Sequence, residues 1–420
     1  MELKFSRLGI AGFLIIAALT ASCTEQLESN AGCPILCPDQ GGEISTITID
    51  AVTLDSTVSA LELQGTESSL LVATRGDTID ARAIVRFDTI PDRYTKPGSD
   101  TASFEVTTVD SAFLRMRVDT IAGKIPASVT LDLYDVYSTA PDSAVAAIAA
   151  LFTPDRLITS VTFAKAALKD TITIPIPPDA ILSRKAAALR IGIRARGPES
   201  VQLRLLSQEG SGSPTVLSYR VSPDTTVAKV VLSPSSRTPI DQPILAGSLA
   251  DYTLLVKGTA TGPPSQLNIG GLPARRVYMR FDIPSFIIDS VDVVRATLLL
   301  TQQPNFTIDP ADTVNIIPHV SLATAAVSDI AKAAQITAVA NTDTLHVVPG
   351  GSGLASLEIA NIITVWRIQA STETPRAIVL LSTLEGTSPL EARFFSVEAA
   401  PELRPRLRIS YSARKSTGLP

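Results

Sequence analysis

The sequence predicts an all-β protein with two tandem antiparallel β-sandwich or jelly-roll domains, each carrying one short helix. Its composition favours short strands and turns, because Val, Ile, Leu, Thr and Ala dominate, aromatic residues make up only 5%, and 29 prolines and 23 glycines are spread along the chain. Apolar and polar residues alternate, as in Thr130–Val136, which is typical of an antiparallel sheet with one buried face. Several motifs also recur in the same order, which indicates an internal duplication.

The N-terminus has the pattern of a secretion signal. Lys4 and Arg7 precede the apolar run Leu8–Leu19, and the small residues Thr20–Ser22 then lead to Cys23. This arrangement resembles the bacterial lipobox, although threonine stands where leucine is usual. The resemblance implies that the thiol becomes diacylated, with palmitate as one typical acyl group, and forms the new N-terminus. The alternative is an ordinary secretory signal that happens to contain a cysteine.

The predicted cleavage removes residues 1–22 and leaves residues 23–43 as a polar tether rich in Gly and Pro. Within this tether, Cys33 and Cys37 are separated by three residues. In an oxidising compartment such a pair most often forms a local disulfide, with free thiols as the alternative. A zinc site would need two further good ligands, and the only histidines, His319 and His346, lie far away in the chain.

Four sequence motifs occur twice, at offsets between 184 and 194 residues. The pairs are Arg86–Pro91 with Arg280–Pro284, Ser111–Met116 with Arg295–Leu300, Arg204–Glu209 with Arg393–Glu398, and Leu217–Tyr219 with Ile409–Tyr411. Ordered matches at a nearly constant offset predict two copies of one unit of about 180 residues. Because Val227–Leu232 looks like the first strand of the second copy, the predicted domains are residues 44–224 and 225–413, followed by a tail, residues 414–420.

Each copy is predicted to consist of short strands. In the first copy they are Ser45–Leu54, Ala83–Phe87, Ala112–Val118, Val129–Val136, Thr171–Ile176, Ala188–Ile193 and Val201–Leu206. In the second copy they are Val277–Phe281, Val291–Leu300, Thr313–His319, Arg376–Leu381, Ala392–Val397 and Arg406–Tyr411. Two alanine-rich stretches, Ser143–Phe152 and Ser321–Gln335, are predicted as helices at equivalent places in the two copies.

The second copy also resembles a known family. The motifs that carry the likeness are Phe281–Asp282 before Pro284, Arg295–Leu298, Leu357–Ile359 leading to Trp366, Ser396–Glu398 and Pro405–Tyr411. In this order they are similar to the DNRLRE family of secreted β-sandwich modules, which is grouped with some carbohydrate-binding modules. The resemblance implies a non-catalytic adhesive or glycan-binding module. The first copy matches less well, with Ser183 where the tryptophan would be.

Trp366, the only tryptophan, is the one candidate for a ligand-binding aromatic residue. Exposed aromatic rings commonly stack on sugar rings, but Trp366 ends the apolar run Ile359–Trp366, which favours packing in the core. Aromatic residues are scarce elsewhere, which weakens the prediction of a strong glycan site.

Repeated acidic residues are the other candidates. Asp88 and Asp282 end equivalent strands before a proline, where turn capping is the default and a structural calcium ion is the alternative. Glu209 and Glu398 are expected to accept hydrogen bonds from backbone amides or to pair with an arginine.

Enzymatic activity is not predicted. The sequence lacks the nucleophile elbow, the phosphate-binding glycine loop and the His-Glu-x-x-His motif, and has only His319 and His346 for general acid–base chemistry. No cofactor is expected. The formal net charge of −5 is not the positive charge typical of a nucleic-acid-binding protein.

The favoured function is therefore a lipid-anchored protein of the bacterial cell envelope, at the outer membrane, with a binding or structural role. Its expected partners are the membrane and either a polysaccharide or an envelope protein. The first alternative is a carbohydrate-binding lipoprotein that captures polysaccharide, which requires an exposed aromatic platform. A remote alternative is an enzyme with its site between the copies, which requires a cleft there lined by titratable groups.

Overall fold

The computed structural model describes residues 44–60, 65–95, 102–119, 125–197, 199–212, 215–221, 229–235, 249–260, 262–305, 312–323, 326–327, 335–338, 342–368 and 375–414. Strands dominate these residues and the helices are few and short, which confirms the predicted all-β class. The predicted signal peptide, the lipidation site Cys23 and the cysteine pair Cys33 and Cys37 lie outside the described residues. Within the described part, no helix has the length and apolar character needed to cross a membrane.

The strands in chain order are β1 Ser45–Ile49, β2 Val52–Ser59, β3 Ser69–Arg75, β4 Ile79–Phe87, β5 Arg93–Thr95, β6 Ser103–Glu105, β7 Val109–Asp119, β8 Ser128–Asp135, β9 Leu157–Ala164, β10 Thr171–Ile176, β11 Leu189–Arg196, β12 Val201–Leu206, β13 Val216–Val221, β14 Val230–Leu232, β15 Asp251–Lys257, β16 Gln266–Gly270, β17 Arg275–Phe281, β18 Val291–Gln303, β19 Val314–Ser321, β20 Ile336–Ala338, β21 Leu345–Val347, β22 Gly353–Glu358, β23 Ala377–Ser382, β24 Glu391–Phe395 and β25 Arg406–Ala413. The α-helices are α1 Val145–Ala149, α2 Pro178–Leu182, α3 Ser285–Asp289 and α4 Ala360–Ile368, and short 3₁₀ turns lie at Pro154–Arg156, Lys165–Ala167 and Pro401–Leu403.

Apart from the hairpin of β5 and β6, the described strands form two antiparallel sheets, which we call the first and the second unit. The first unit runs β14-β13-β7-β12-β3-β4-β11-β8-β9, with β10 paired to β7 and β15 paired to β4. The second unit runs β1-β25-β18-β24-β16-β17-β23-β19-β20, with β2 on β17, β21 on β19 and β22 on β18. Each unit encloses a large apolar core, as a β-sandwich does.

The two units have equivalent strand pairing. Phe87 at the end of β4 corresponds to Phe281 at the end of β17, and both strands have three partners in matching positions. The long strand β7 pairs with β10, β12 and β13, just as β18 pairs with β22, β24 and β25. This agreement supports the internal duplication inferred from the repeated motifs.

The N-terminal strands of the two copies are exchanged. β1 and β2 are the first strands of the first copy in sequence, yet they pair with β25 and β17 of the second unit. Conversely, β14 and β15 are the first strands of the second copy, yet they pair with β13 and β4 of the first unit. The registers match, since Ser45 lies opposite Tyr411 as Val230 lies opposite the equivalent Tyr219.

The strand pairing therefore crosses the boundary predicted at residue 224. The first unit continues into β15, and the second unit includes residues 45–59. Apolar periodicity identifies a segment as a strand but does not identify its partner, because both units offer the same edges to the same kind of strand. A sequence pattern that occurs in both copies therefore cannot reveal that equivalent strands are exchanged between the units.

The helices also differ from the expectation of one in each unit. The helix predicted at Ser143–Phe152 is present as α1, but each unit has a second short helix, α2 or α4. Most of the predicted helix Ser321–Gln335 lies outside the described residues, and Ser321 itself is the last residue of β19. In α4, Ile362, Ile363 and Trp366 lie on one buried face, which anchors this helix on the core.

Candidate functional site

One exchanged strand in each unit, β15 or β2, carries an aspartate that contacts the receiving unit at a site that we call a joint. Asp251 is buried and Asp55 is half-buried. The first joint consists of Asp251 on β15 with Gln208, Glu209 and Glu67 of the receiving unit. The second joint consists of Asp55 on β2 with Val397 and Glu398. Asp251 and Asp55 occupy equivalent positions, because they lie opposite the equivalent residues Val85 and Met279.

At the first joint, the carboxyl group of Asp251 is fully buried, and its Oδ2 accepts a hydrogen bond of 3.0 Å from the Gln208 amide. Burial, together with the nearby charges of Glu209 and Glu67, raises the pKa of Asp251 from 3.8 to about 7. Burial likewise raises the pKa values of Glu209 and Glu67. A proton near neutral pH therefore relieves the repulsion within this group of acids.

At the second joint, the Val397 amide donates to Asp55 Oδ2 at 2.9 Å. Burial and the charge of Glu398 raise the pKa of Asp55 to about 6. The Ser396 hydroxyl donates to the carboxylate of Glu398. The counterpart of Glu67 is missing here, since Pro264 occupies the corresponding place before β16, and the upward shift is smaller.

A threonine two residues after each aspartate completes the joint. The Leu71 amide donates to Thr253 Oγ1 at 2.9 Å, and the Asn268 amide donates to Thr57 Oγ1 at 3.0 Å. Residues two apart in a strand share one face, so each Asp-x-Thr element presents both side chains to the receiving unit. The exchanged strands are thus fixed by side chains as well as by their backbone ladders.

The joints refine the prediction for Glu209 and Glu398. Both residues were expected to bind backbone amides or an arginine, whereas the structure places each beside the aspartate of an exchanged strand. Asp55 and Asp251 were not among the residues predicted from the sequence. The repeated Asp-x-Thr, at Asp55–Thr57 and Asp251–Thr253, was the signal that could have found them.

A cavity of about 380 Å³ lies between the two units, and we call it the seam cavity. Its lining comes from three sources: the first unit, the exchanged strand β15, and the second unit. The lining residues are Thr66, Glu67, Ser68 and Arg204, then Thr253 and Leu255, then Leu272, Arg276 and Thr383–Thr387. The cleft that the remote enzyme alternative required is therefore present.

The charged side chains of the seam cavity are engaged with protein partners. Arg276 forms a two-point ion pair with Glu385, with Nε to Oε1 at 2.9 Å and Nη2 to Oε2 at 2.6 Å. Arg204 pairs with Asp119 at 3.0 Å, and Glu67 accepts a hydrogen bond of 2.6 Å from the Gly65 amide. The lining residues include no histidine or cysteine. The arrangement can hydrogen-bond a polar ligand.

Trp366 lies in the core of the second unit. Only 3% of this residue is exposed, and its ring lies 5.4 Å from the ring of Phe281, centroid to centroid, at a tilt of 45°. This placement agrees with the core-packing interpretation. Trp366 therefore offers no surface on which a sugar ring could stack.

Asp88 and Asp282 directly follow the equivalent strands β4 and β17. Asp88 Oδ1 pairs with Arg86 Nη2 at 3.2 Å, and the Asp88 amide donates to Ser235 Oγ at 3.2 Å. Asp282 is exposed, and its amide donates to the carbonyl of Ala51 at 2.8 Å. Among the described residues, no cluster of three or more His, Cys, Asp or Glu side chains could hold a metal ion.

The two histidines do not meet. His346, on β21, lies opposite Asn315 of β19 and contacts the Asn315 side chain through Nδ1 at 2.8 Å. His319 lies on β19, four residues after Asn315. Burial and the nearby charge of Arg276 lower the pKa of His319. Neither residue has the other as a catalytic partner.

Comparison with known proteins yields no relative: no protein-family model matches the chain, and no curated protein sequence matches it significantly. The resemblance to the DNRLRE family stays a prediction from the motifs.

Proposed function

We propose that this chain is a non-catalytic protein of the bacterial cell envelope, anchored at the outer membrane by a lipid on Cys23, with a binding or structural role. The observation that carries the proposal is the reciprocal strand exchange, which fastens both units to each other at two joints. Such an interlocked body suits a scaffold or a binding module that must hold its shape outside the cell.

The seam cavity supports a binding role. It is lined by both units, so a ligand there would contact both copies of the repeat at once. The ion pairs of Arg276 with Glu385 and of Arg204 with Asp119 fix its charged side chains in place before any ligand arrives. Preorganised polar groups of this kind favour binding because little side-chain entropy is lost.

Lipid anchoring can be tested by growing cells that produce the full chain with an alkyne analogue of palmitate. We expect the protein to be labelled and to fractionate with the outer membrane, and we expect Cys23→Ala to lose both properties. Cys33→Ala is the matched control, because it removes a nearby tether cysteine and should keep the label. Undiminished labelling of Cys23→Ala would contradict the anchor.

The alternative of a carbohydrate-binding lipoprotein needs an aromatic surface other than Trp366. The seam cavity does not supply one, since its lining contains hydroxyl, charged and aliphatic side chains only. A second cavity, in the first unit, contains an aromatic ring beside polar groups and keeps this alternative open.

A further inference from the structure

A cavity of about 350 Å³ lies in the first unit, and we call it the arginine cavity. It lies between the end of β4, the start of β11, and the loop of residues 137–142 that follows β8. Its lining residues are Arg86, Asp88, Tyr137–Asp142 and Ala188–Arg190. The volume falls in the lower part of the range of roughly 300–1,000 Å³ that is usual for small-ligand sites.

The wall of the arginine cavity contains a buried charge cluster centred on Asp142. This carboxylate receives Arg86 Nη1 at 2.5 Å and Arg190 Nη2 at 3.2 Å. The hydroxyl of Tyr252, on the exchanged strand β15, donates to the same carboxylate at 2.8 Å. Only 3% of the Asp142 side chain is exposed, so these contacts occupy it and hold both guanidinium groups in position.

Arg190 has hydrogen-bonding capacity left over. Its side chain is 94% buried, and its Nε and Nη1 donors have no hydrogen-bond partner among the described residues. Burying charged donors without an acceptor is costly. Arg190 is also a lining residue of the arginine cavity, so this side chain lies beside the space that a ligand would occupy.

The other lining groups complement these donors. Tyr137 contributes a half-buried ring, with the guanidinium of Arg184 lying 4.8 Å from its centroid. Asp88 contributes a carboxylate that Arg86 holds in place, and Ser138 and Thr139 contribute hydroxyl groups. The cavity thus offers hydrogen-bond donors, hydrogen-bond acceptors and an aromatic ring within one small space.

The charges of the cavity balance. Two arginines, Arg86 and Arg190, face two aspartates, Asp88 and Asp142, so neither an anion nor a cation gains from a net field. A hydroxyl group both donates and accepts hydrogen bonds, and the C–H face of a sugar ring packs on an aromatic ring. We propose that the arginine cavity binds a small, neutral, hydroxyl-rich ligand, namely a single sugar residue, and this rests on the binding role proposed above.

The proposal is tested by saturation-transfer difference NMR on the full chain in detergent micelles. The probes are glucose, galactose, mannose and N-acetylglucosamine at millimolar concentration, with glucuronate as a charged comparison. We expect saturation of the ring protons of at least one neutral probe, and at least a tenfold weaker signal in Tyr137→Ala and in Asp88→Asn. The neutral probe should bind better than glucuronate.

Tyr94→Ala is the matched control, because Tyr94 packs on Phe104 in the β5–β6 hairpin and is not among the residues that line the cavity. This variant should bind as the native chain does. Circular dichroism shows whether each variant is folded. If Tyr137→Ala is misfolded, Asp88→Asn still tests the proposal. No saturation of any neutral probe, or a signal unchanged in a folded cavity variant, would overturn the proposal.

The outcomes separate this proposal from the proposed function. Sugar binding that survives in Tyr137→Ala places the ligand elsewhere and leaves a binding role intact. Stronger binding of glucuronate than of glucose would overturn the proposal of a neutral ligand in favour of an acidic one. Loss of the lipid anchor, tested at Cys23, would leave the arginine cavity unaffected.

Discussion

The two units are alike on the sheet faces that line their large apolar cores, which we call the inner faces, whereas they differ on the opposite, outer faces. On the inner faces, Phe87 and Phe281 occupy equivalent buried positions in equivalent strands. On the outer face of the first unit, Arg190 belongs to the Asp142 cluster. Its counterpart in the second unit is Ala377, because Arg190 lies opposite Arg86 and Ala377 lies opposite the equivalent Arg280. The second unit covers this face with an apolar cluster of Val58, Tyr278, Ala323, Val327, Ala377 and Val379.

This difference shows which parts of the repeat are constrained by the fold. An inner face must keep its apolar alternation, because a polar residue there would be buried without a partner. An outer face can hold a buried polar cluster only if all of its members are present together. In the first unit the exchanged strand supplies Tyr252 to that cluster, whereas the equivalent position of the second unit is Ser56.

The largest expected effect comes from deleting residues 44–60. Although these residues begin the first copy in sequence, their loss should unfold the second unit, because β1 and β2 pair with β25 and β17 and bury Ala51 and Val52 in its core. Trp366 is the only tryptophan and lies in that core, so its fluorescence emission should shift to longer wavelength.

Hydrogen exchange distinguishes this outcome from a simple tandem arrangement. The first unit should keep its protected amides in β4 and β11, since it is completed by β14 and β15. Loss of protection in β4 and β11 with unchanged Trp366 emission would contradict the exchange.

The second prediction concerns the outer face of the first unit. Asp142→Ala should lower the free energy of unfolding by about 3–5 kcal/mol, because it leaves Arg86, Arg190 and Tyr252 buried without their shared acceptor. The exposed Asp282→Ala in the second unit is the control and should change stability by less than about 0.5 kcal/mol. Chemical denaturation measures both, and equal effects would remove the contrast between the outer faces.

The third prediction concerns the joints and pH. Because burial raises the pKa of Asp251 from 3.8 to about 7, its protonated form favours the fold. The stability that this group contributes is fully present below about pH 4, and it is lost as the pH rises through about 7. For a fully buried group the change is on the order of 4 kcal/mol at most.

Comparison of the native chain with Asp251→Asn isolates this contribution. The difference in melting temperature between the two should change between pH 5 and pH 8. The native chain should become more stable relative to Asp251→Asn as the pH falls. Asp55→Asn should show a smaller change centred near pH 6, since Asp55 is less buried and lacks a counterpart of Glu67. A pH profile identical in all three proteins would mean that the joints do not titrate in this range.

The smallest expected effect is the loss of a single hydrogen bond at either joint. Thr253→Val and Thr57→Val keep the shape of the side chain but leave the Leu71 or Asn268 amide without its acceptor. Each should cost about 1–3 kcal/mol in chemical denaturation, by similar amounts because the joints are equivalent. A marked inequality would show that one exchanged strand is held mainly by other contacts.

Much of the fold could be predicted from the sequence, because the alternation in strands such as β8 and the repeated Arg-Phe-Asp motif are local signals. The exchange could not be predicted. β2 and β15 are strands of the same kind that meet equivalent partners, β17 and β4, and the choice between them depends on contacts remote in sequence.

The candidate sites were harder still. Trp366 was rightly expected in the core, since a large ring at the end of an apolar run has more to gain from burial than from solvent. Asp142, Arg190 and Tyr252 are far apart along the chain and form no motif, so only the folded structure brings them together.

The pairing of Thr46 with Ser410, 364 residues apart, has a consequence for biogenesis. While only the first half of the polypeptide has been synthesised, neither sandwich can close, because one awaits residues 251–257 and the other awaits the C-terminal strand. The second unit therefore stays open until the chain is almost complete, whereas the first unit can close once residues 251–257 have been synthesised. This delay leaves strand edges of the second unit unpaired until the last residues arrive.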